Sequence, residues 1–235
     1  MSRIYVVRHG EASWHAEDYD QLTDRGHAQA RAVGAELAAR GIRPDVVVSG
    51  TLRRHRETAA GLLEGAGWDH AVAEDDRWNE LDADDIVRAH APEHATMTAA
   101  LAHFAGRGAA GDFDALFGEA MVRWFETGSG YLESYREFTQ RVEDVLGALV
   151  SGLAPLGQAV VVTSGGVGNS IASQVLGGGA DGPAGQGRTG RLAADRIRRR
   201  PGHPRAGPHR PCGRPGGADR GVHRRRRPDG PAPDG

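Results

Sequence analysis

Three short, unbroken apolar runs mark the first three-quarters of the chain: Ile4-Tyr5-Val6-Val7, Val46-Val47-Val48 and Ala159-Val160-Val161-Val162. Each is rich in β-branched residues and gives way at once to a polar, glycine-containing loop. Strands are therefore predicted at Arg3–Val7, Asp45–Ser49 and Ala159–Thr163. Between them the apolar spacing lengthens to a helical period. Thr23 is placed to cap a helix whose inner face is Val33, Leu37 and the intervening alanines, and Gly41 is placed to end it. Leu52–Leu63 reads as a second helix and Ala71–Ala73 as a short edge strand. Tyr135–Leu153 carries Phe138, Val142, Val145, Leu146 and Leu149 on one side, and Val167–Leu176 begins another helix. Short apolar strands alternating with helices predict an α/β domain over residues 1–176, a three-layer α/β/α arrangement with a mostly parallel sheet. The Ala-rich stretch at 85–130, with Leu101, Phe104, Leu116, Met121, Trp124 and Phe125, is expected to form a helical lid inserted into it.

From Gly177 the pattern ends. The last 59 residues hold 15 Gly and 9 Pro, and almost nothing that could build a core. They also hold 14 Arg against 5 acidic residues, whereas residues 1–176 hold 15 Arg against 26. A basic tail invites a nucleic-acid reading, yet no aromatic residue interleaves these arginines, so bases would have no stacking platform. All 29 basic residues of the chain are Arg, as in the product of a GC-rich gene. The expectation for 177–235 is a disordered or frame-shifted end, and nucleic acid is not an expected partner.

No run approaches the roughly 20 apolar residues of a membrane span, and the chain enters its first strand without a leader-like segment. Cys212 is the only cysteine, which excludes an internal disulfide framework or thiolate metal site. A cytoplasmic location is the default expectation.

The candidate chemistry sits where the predicted strands end. Arg8-His9-Gly10-Glu11 follows the first, Ser49-Gly50-Thr51-Leu52-Arg53-Arg54 the second, and Ser164-Gly165-Gly166 follows Thr163 at the end of the third. A parallel sheet gathers such loops at its carboxyl edge, where open α/β folds bind ligands. Arginine forks match pairs of phosphate oxygens, and backbone N–H groups at Gly165 and Gly166 could receive an anion. A histidine among arginines is kept neutral and therefore nucleophilic. His9 is the candidate nucleophile, through a phosphohistidine, and Glu80 in Arg77-Trp78-Asn79-Glu80 the candidate proton donor. His90 and His94 have metal-like i, i+4 spacing but lack a third ligand. They are read, with His27, His55, His70, His103, His203, His209 and His223, as surface or structural residues.

These segments resemble the histidine phosphatase superfamily, which includes the phosphoglycerate mutases. Arg8-His9-Gly10-Glu11 resembles its first-strand signature, and Leu22-Thr23-Asp24-Arg25-Gly26-His27-Ala28-Gln29-Ala30 its L-T-x-x-G-x-x-Q-A opening. Ser49-Gly50-Thr51-Leu52-Arg53-Arg54-His55-Arg56-Glu57-Thr58-Ala59 resembles its S-x-x-L-x-R-A-x-Q-T-A segment. The resemblance spans residues 3–176 and implies a phosphoglycerate mutase-like fold, a small phosphomonoester substrate, no metal and no organic cofactor. It implies His9 and Glu80 as catalytic residues, with Arg8, Arg54, Ser164, Gly165, His15 and Thr23 as the phosphate-binding set. Ser164 stands where the family usually has a second histidine, as in a subgroup with T-S-G-G, and His15 where many relatives have Asn. The family also continues with a further strand and helix, which 177–235 does not resemble. Phosphatase and mutase share this chemistry. With only Arg88, Arg107 and Arg123 in the lid to hold a substrate carboxylate, phosphatase is the first expectation and mutase the second. A phosphate-binding protein that has lost turnover is the third.

Overall fold

In the computed structural model, residues 1–13, 20–107 and 110–176 are described. The elements run β1 (Arg3–Arg8), α1 (Asp24–Ala39), β2 (Val46–Ser49), α2 (Arg53–Ala66), β3 (Val72–Glu74), α3 (Ala83–His90), α4 (Met97–Ala105), α5 (Ala110–Glu126), α6 (Tyr135–Gly152), β4 (Gln158–Thr163) and α7 (Gly165–Val175), with a 3-10 turn at Asp76–Trp78. The four strands lie in the order β1-β4-β2-β3, and every pairing is parallel. Among the described residues the sheet is thus wholly parallel. The apolar run of β4 has its cause in this position: Val160, Val161 and Val162 are covered on both faces and entirely buried. The expectations for 177–235 and for His15 lie outside the described residues.

Side chains alternate between two layers. Val47, Val160 and Val162 face α1 and α2, packing with Ala59 and Leu62. Val48 and Val161 face the other side, packing with Phe138, Val142 and Val145 of α6, Val167 and Ile171 of α7, and Trp78 and Trp124. Ser134 and Glu137 form a reciprocal capping box at the start of α6. The predicted lid is present as α3, α4 and α5, which share a smaller core of Val87, Met97, Ala100 and Phe113. Trp124 ties it to the main core, its indole N–H donating to the Glu133 carbonyl at 2.8 Å. Among the described residues, no helix is long and apolar enough to cross a membrane.

The inner face of α1 differs from expectation. Val33 is 37% exposed, and the buried positions are Gly26, Ala30 and Gly34. The reason is how closely α1 and α2 approach. A Cβ on Gly34 would collide with the Leu62 carbonyl, and one on Gly65 with the Arg31 carbonyl, so backbone packs on backbone. Of the two large apolar residues expected on this face, Leu37 packs against the core and Val33 does not. At the C-terminus of α1 the expectation holds: Gly41 has φ +73° and returns its N–H to the Ala38 carbonyl at 2.9 Å.

Gly34→Ala gives opposite signs for the two effects in play. Helix propensity favours alanine by about 1 kcal/mol, while overpacking costs about 1–3 kcal/mol. With carbonyl rather than flexible side chain in the way, the expected result is a lower melting temperature, measured by thermal denaturation.

Candidate active site

The carboxyl ends of β1 and β4, the β2–α2 loop and the lid enclose a cavity of about 1030 Å³. Arg8, His9, Arg54, Glu80 and Gly166 line its sheet side, and Asp84, Met97, Phe117 and Met121 belong to its lid side. Four predicted residues, Arg8, His9, Arg54 and Glu80, are thus brought together.

His9 leaves the sheet with its backbone still paired, its N–H donating to the Thr163 carbonyl at 2.8 Å. Its ring nitrogen Nδ1 lies 2.7 Å from the Gly10 carbonyl oxygen. A carbonyl only accepts, so Nδ1 carries the proton and the neutral ring keeps its lone pair on Nε2. Burial, opposed by the Gly10 bond and reinforced by Arg54 and Arg8, lowers the His9 pKa to about 4. The neutral ring is therefore the form populated at neutral pH. Gly10 holds this geometry from two sides. Its N–H donates to Thr58 Oγ1 at 3.1 Å, and a Cβ on it would strike the Gly26 carbonyl at the start of α1. The glycine of the L-T-x-x-G opening is needed for the same approach.

Arg54 is 8% exposed and ion-paired with Asp20, Nη1 to Oδ1 at 2.6 Å. Asp20 also accepts the Arg53 N–H at 2.6 Å. The N-cap of α2, Leu52, has no side chain able to cap, so Asp20 supplies the missing acceptor from a distant loop, with its charge at the helix N-terminus. One carboxylate fixes both the helix start and the arginine. Sequence reasoning did not single it out.

Glu80 rests on the start of α7. Gly166 donates its N–H to Oε2 at 2.9 Å, and Leu81 donates to Oε1 at 3.1 Å. A Cβ on Gly166 would overlap Oε1, so only glycine admits the carboxylate there. The Gly166 N–H expected to receive an anion is given to Glu80 instead. Gly165 lies against the Arg8 side chain, where a Cβ would be 3.6 Å from Nε.

Three described members of the expected phosphate-binding set, Gly165, Thr23 and Ser164, stand apart from the cavity lining. Thr23 caps α1, accepting from the Gly26 N–H at 3.0 Å and donating to Glu11 Oε1 at 3.0 Å. Ser164 is 1% exposed, and its Oγ lies 2.7 Å from His55 Nε2. His55 takes the structural side of the surface-or-structural reading, and the surface placement expected of His94 is corrected. His55 is fully buried and His94 is 7% exposed, the latter stacked edge-on with His103 in the lid at 5.1 Å between centroids. His90 ends α3, so it shares no helix face with His94. Among the described residues, no three His, Cys, Asp or Glu side chains converge as metal ligands. The signal for His55 was present in the sequence: it replaces the alanine of the S-x-x-L-x-R-A segment while Ser164 replaces a histidine.

The profile of the Histidine phosphatase superfamily (branch 1) matches residues 4–185. The chain belongs to that superfamily. A 2,3-bisphosphoglycerate-dependent phosphoglycerate mutase from Mesorhizobium japonicum is 37% identical over 95 residues, which are 37% of this chain and 46% of that protein. One from Thermobifida fusca is 45% identical over 74 residues, 28% of this chain and 30% of the other. These matches span less than half the length of the relatives. A proposed alpha-ribazole-5'-P phosphatase from Escherichia coli str. K-12 has a solved structure that covers 75% of this chain and 80% of its own, with a TM-score of 0.52 and 22% identity. That likeness bears on the fold: a phosphoglycerate mutase-like α/β architecture.

His9 and His55 both resist protonation in the fold, with pKa values lowered from 6.5 to about 4 and about 3, in each case chiefly by burial. The unfolded chain takes up those protons near 6.5. Stability is therefore level above pH 6.5 and falls as pH drops toward 4. At pH 5 each imidazole accounts for a loss on the order of 2 kcal/mol. Urea unfolding at pH 7 and pH 5 tests this: His55→Gln is expected to lose less stability between the two than wild type.

Proposed function

We propose that this protein is a phosphomonoester phosphohydrolase acting through a phosphohistidine on His9. The observation that carries the reading is the His9 ring itself: neutral, its Nδ1–H committed to the Gly10 carbonyl, in a cavity it shares with Arg8 and Arg54. In the first step Nε2 attacks phosphorus, the P–O ester bond breaks, and Glu80 in its acid form protonates the leaving oxygen. In the second, Glu80 as carboxylate takes a proton from water, the hydroxide attacks phosphorus, and the P–N bond breaks to release inorganic phosphate. Arg8 and Arg54 hold the non-bridging oxygens.

The cavity favours hydrolysis over mutase chemistry. Among the described residues that line it, Arg8 and Arg54 are the only cations, and Asp82 and Asp84 line it as well. A phosphoglycerate carboxylate would meet no positive partner there. Two of the lid arginines considered for that role are engaged elsewhere: Arg88 pairs with Asp85 at 2.9 Å, and Arg123 donates to the Ala89 carbonyl. Leu52, Met97, Phe117 and Met121 add apolar surface. The substrate class this supports is a monoester of an uncharged or partly apolar alcohol. The mutase reading draws support from the names of the sequence relatives.

Phosphate release from a panel of phosphomonoesters decides the matter. His9→Ala is expected to lower turnover at least about a thousandfold, and Glu80→Gln to lower kcat about a hundredfold or more. The wild-type kcat/KM should fall on the acid side near pH 4, where His9 protonates. Interconversion of 2- and 3-phosphoglycerate outrunning phosphate release would establish the mutase instead. A folded wild type with no His9-dependent turnover would leave only a phosphate-binding protein.

A further inference from the structure

Glu80 lies between the 3-10 turn and α3, in a stretch that belongs to no helix or strand. The Gly166 and Leu81 N–H groups hold its carboxylate, but only if the backbone before Glu80 delivers it to them. Each of the three carbonyls just ahead of it is taken by a side chain from another element. Thr163 Oγ1 donates to the Trp78 carbonyl at 2.5 Å. The Arg77 and Asn79 carbonyls both accept from Arg141 Nη1, at 2.7 and 3.0 Å, across 64 and 62 residues of sequence.

Arg141 stands on α6 and outside the cavity lining. One edge of its guanidinium grips Glu133, Nε to Oε1 at 2.6 Å and Nη2 to Oε2 at 2.7 Å. The group also lies over the Phe138 ring, 5.1 Å from its centroid. With that edge fixed, the two Nη1 hydrogens have set directions, and both are given to backbone oxygens. Lysine would satisfy a simple pair with Glu133; two carbonyls held at the same time require the planar fork. The Asn79 carbonyl belongs to the planar peptide that joins Asn79 to Glu80, so holding it sets the direction in which Glu80 leaves the backbone. The Asn79 side chain secures the same residue from the other side. Its Oδ1 accepts from the Thr51 and Leu52 N–H groups, and its Nδ2 donates to Thr51 Oγ1 at 2.8 Å. Glu80 is thereby held in register with the loop that leads to Arg54.

We propose that Arg141 is a positioning residue for proton transfer: by clamping the Arg77 and Asn79 carbonyls it aims Glu80 at the leaving oxygen. This rests on the reading of Glu80 as the proton donor and adds the residue that places it. A group acting only through Glu80 matters in proportion to how much the leaving oxygen needs a proton. An alkoxide cannot leave without one, whereas 4-nitrophenolate can. A clamp that merely stabilised the fold would affect both kinds of ester alike.

The test compares kcat/KM for n-butyl phosphate and 4-nitrophenyl phosphate on the full chain, since this ratio reports only the steps up to loss of the alcohol. Arg141→Met is expected to lower the value for the butyl ester about 10–100-fold and that for the nitrophenyl ester by less than about threefold. In a Glu80→Gln background the same substitution should add little further loss, because both act at one proton transfer. Arg141→Lys, which keeps a cation for Glu133 and a donor for one carbonyl, should show the same selectivity with a smaller loss, and decides the question if Arg141→Met does not fold. Hydrogen exchange supplies a readout that needs no turnover. Gly166 is in the first turn of α7, where an N–H has no partner within the helix, so its protection comes from Glu80. Arg141→Met or Arg141→Lys should speed exchange at Gly166 while Ile171, further along α7, is little changed. Equal losses with the two esters, losses that multiply in the Glu80→Gln background, or Gly166 exchange unaltered in a folded variant would each overturn the proposal. The hydrolase reading fails separately, if wild type and His9→Ala release phosphate at the same rate; the Gly166 exchange still decides whether Arg141 places Glu80.

Discussion

The parallel pairing of β4 with β1 on one side and β2 on the other sets where every loop of the cavity begins. Val6 stands beside Val161 and Val48 beside the same residue on the far side, so three chain segments far apart in sequence stop at one level. Arg8 and His9, the loop leading to Arg54, and Ser164 are delivered to the same edge by the strand ladder, whose last rung is the His9 N–H on the Thr163 carbonyl. The strand paired on both sides and buried on both faces, β4, bears this alignment. Its three consecutive valines are therefore a functional requirement as much as a packing one.

Within that frame burial first, and the neighbouring cations after it, keep the His9 ring neutral with one nitrogen unprotonated. Arg54 and Arg8 push the His9 pKa down and Asp20 pushes it up. Asp20 therefore works against the arginine it holds in place. It orients Arg54 through a 2.6 Å ion pair without cancelling its effect on His9. A second copy of the same logic places Glu80 on the N-terminus of α7, a carboxylate held by two backbone donors while its neighbour Gly166 gives up any side chain to admit it.

Much of this was legible before any coordinates. The strands announced themselves as β-branched runs ending in glycine loops, and the sheet edge followed from their being parallel. His9, Arg54 and Glu80 could be named because each lies within a few residues of such an end or within a motif. What stayed hidden depends on contacts that local pattern does not encode. The buried stripe of α1 is made of Gly26, Ala30 and Gly34, which carry no hydrophobic signal, so Val33 was preferred wrongly. Asp20 caps a helix 33 residues later in the chain, and His55 meets Ser164 across 109. Thr23 fell in a motif and was read as a ligand residue, although its hydroxyl serves its own helix.

The glycines have a mechanical meaning. Gly10 rests on the start of α1 with no side chain between them, and α1 rests in the same way on α2 through Gly34 and Gly65. The loop bearing His9, the helix behind it and the helix bearing Arg54 are in effect one rigid strut, with no intervening side chains to re-rotamer. The lid is built differently, on Met97, Phe113, Phe117 and their neighbours, whose side chains can repack. Any change in the width of the cavity must therefore come from α3, α4 and α5. Natural variation in the shape of such a cavity can accumulate there while the half that carries His9 and Arg54 stays fixed.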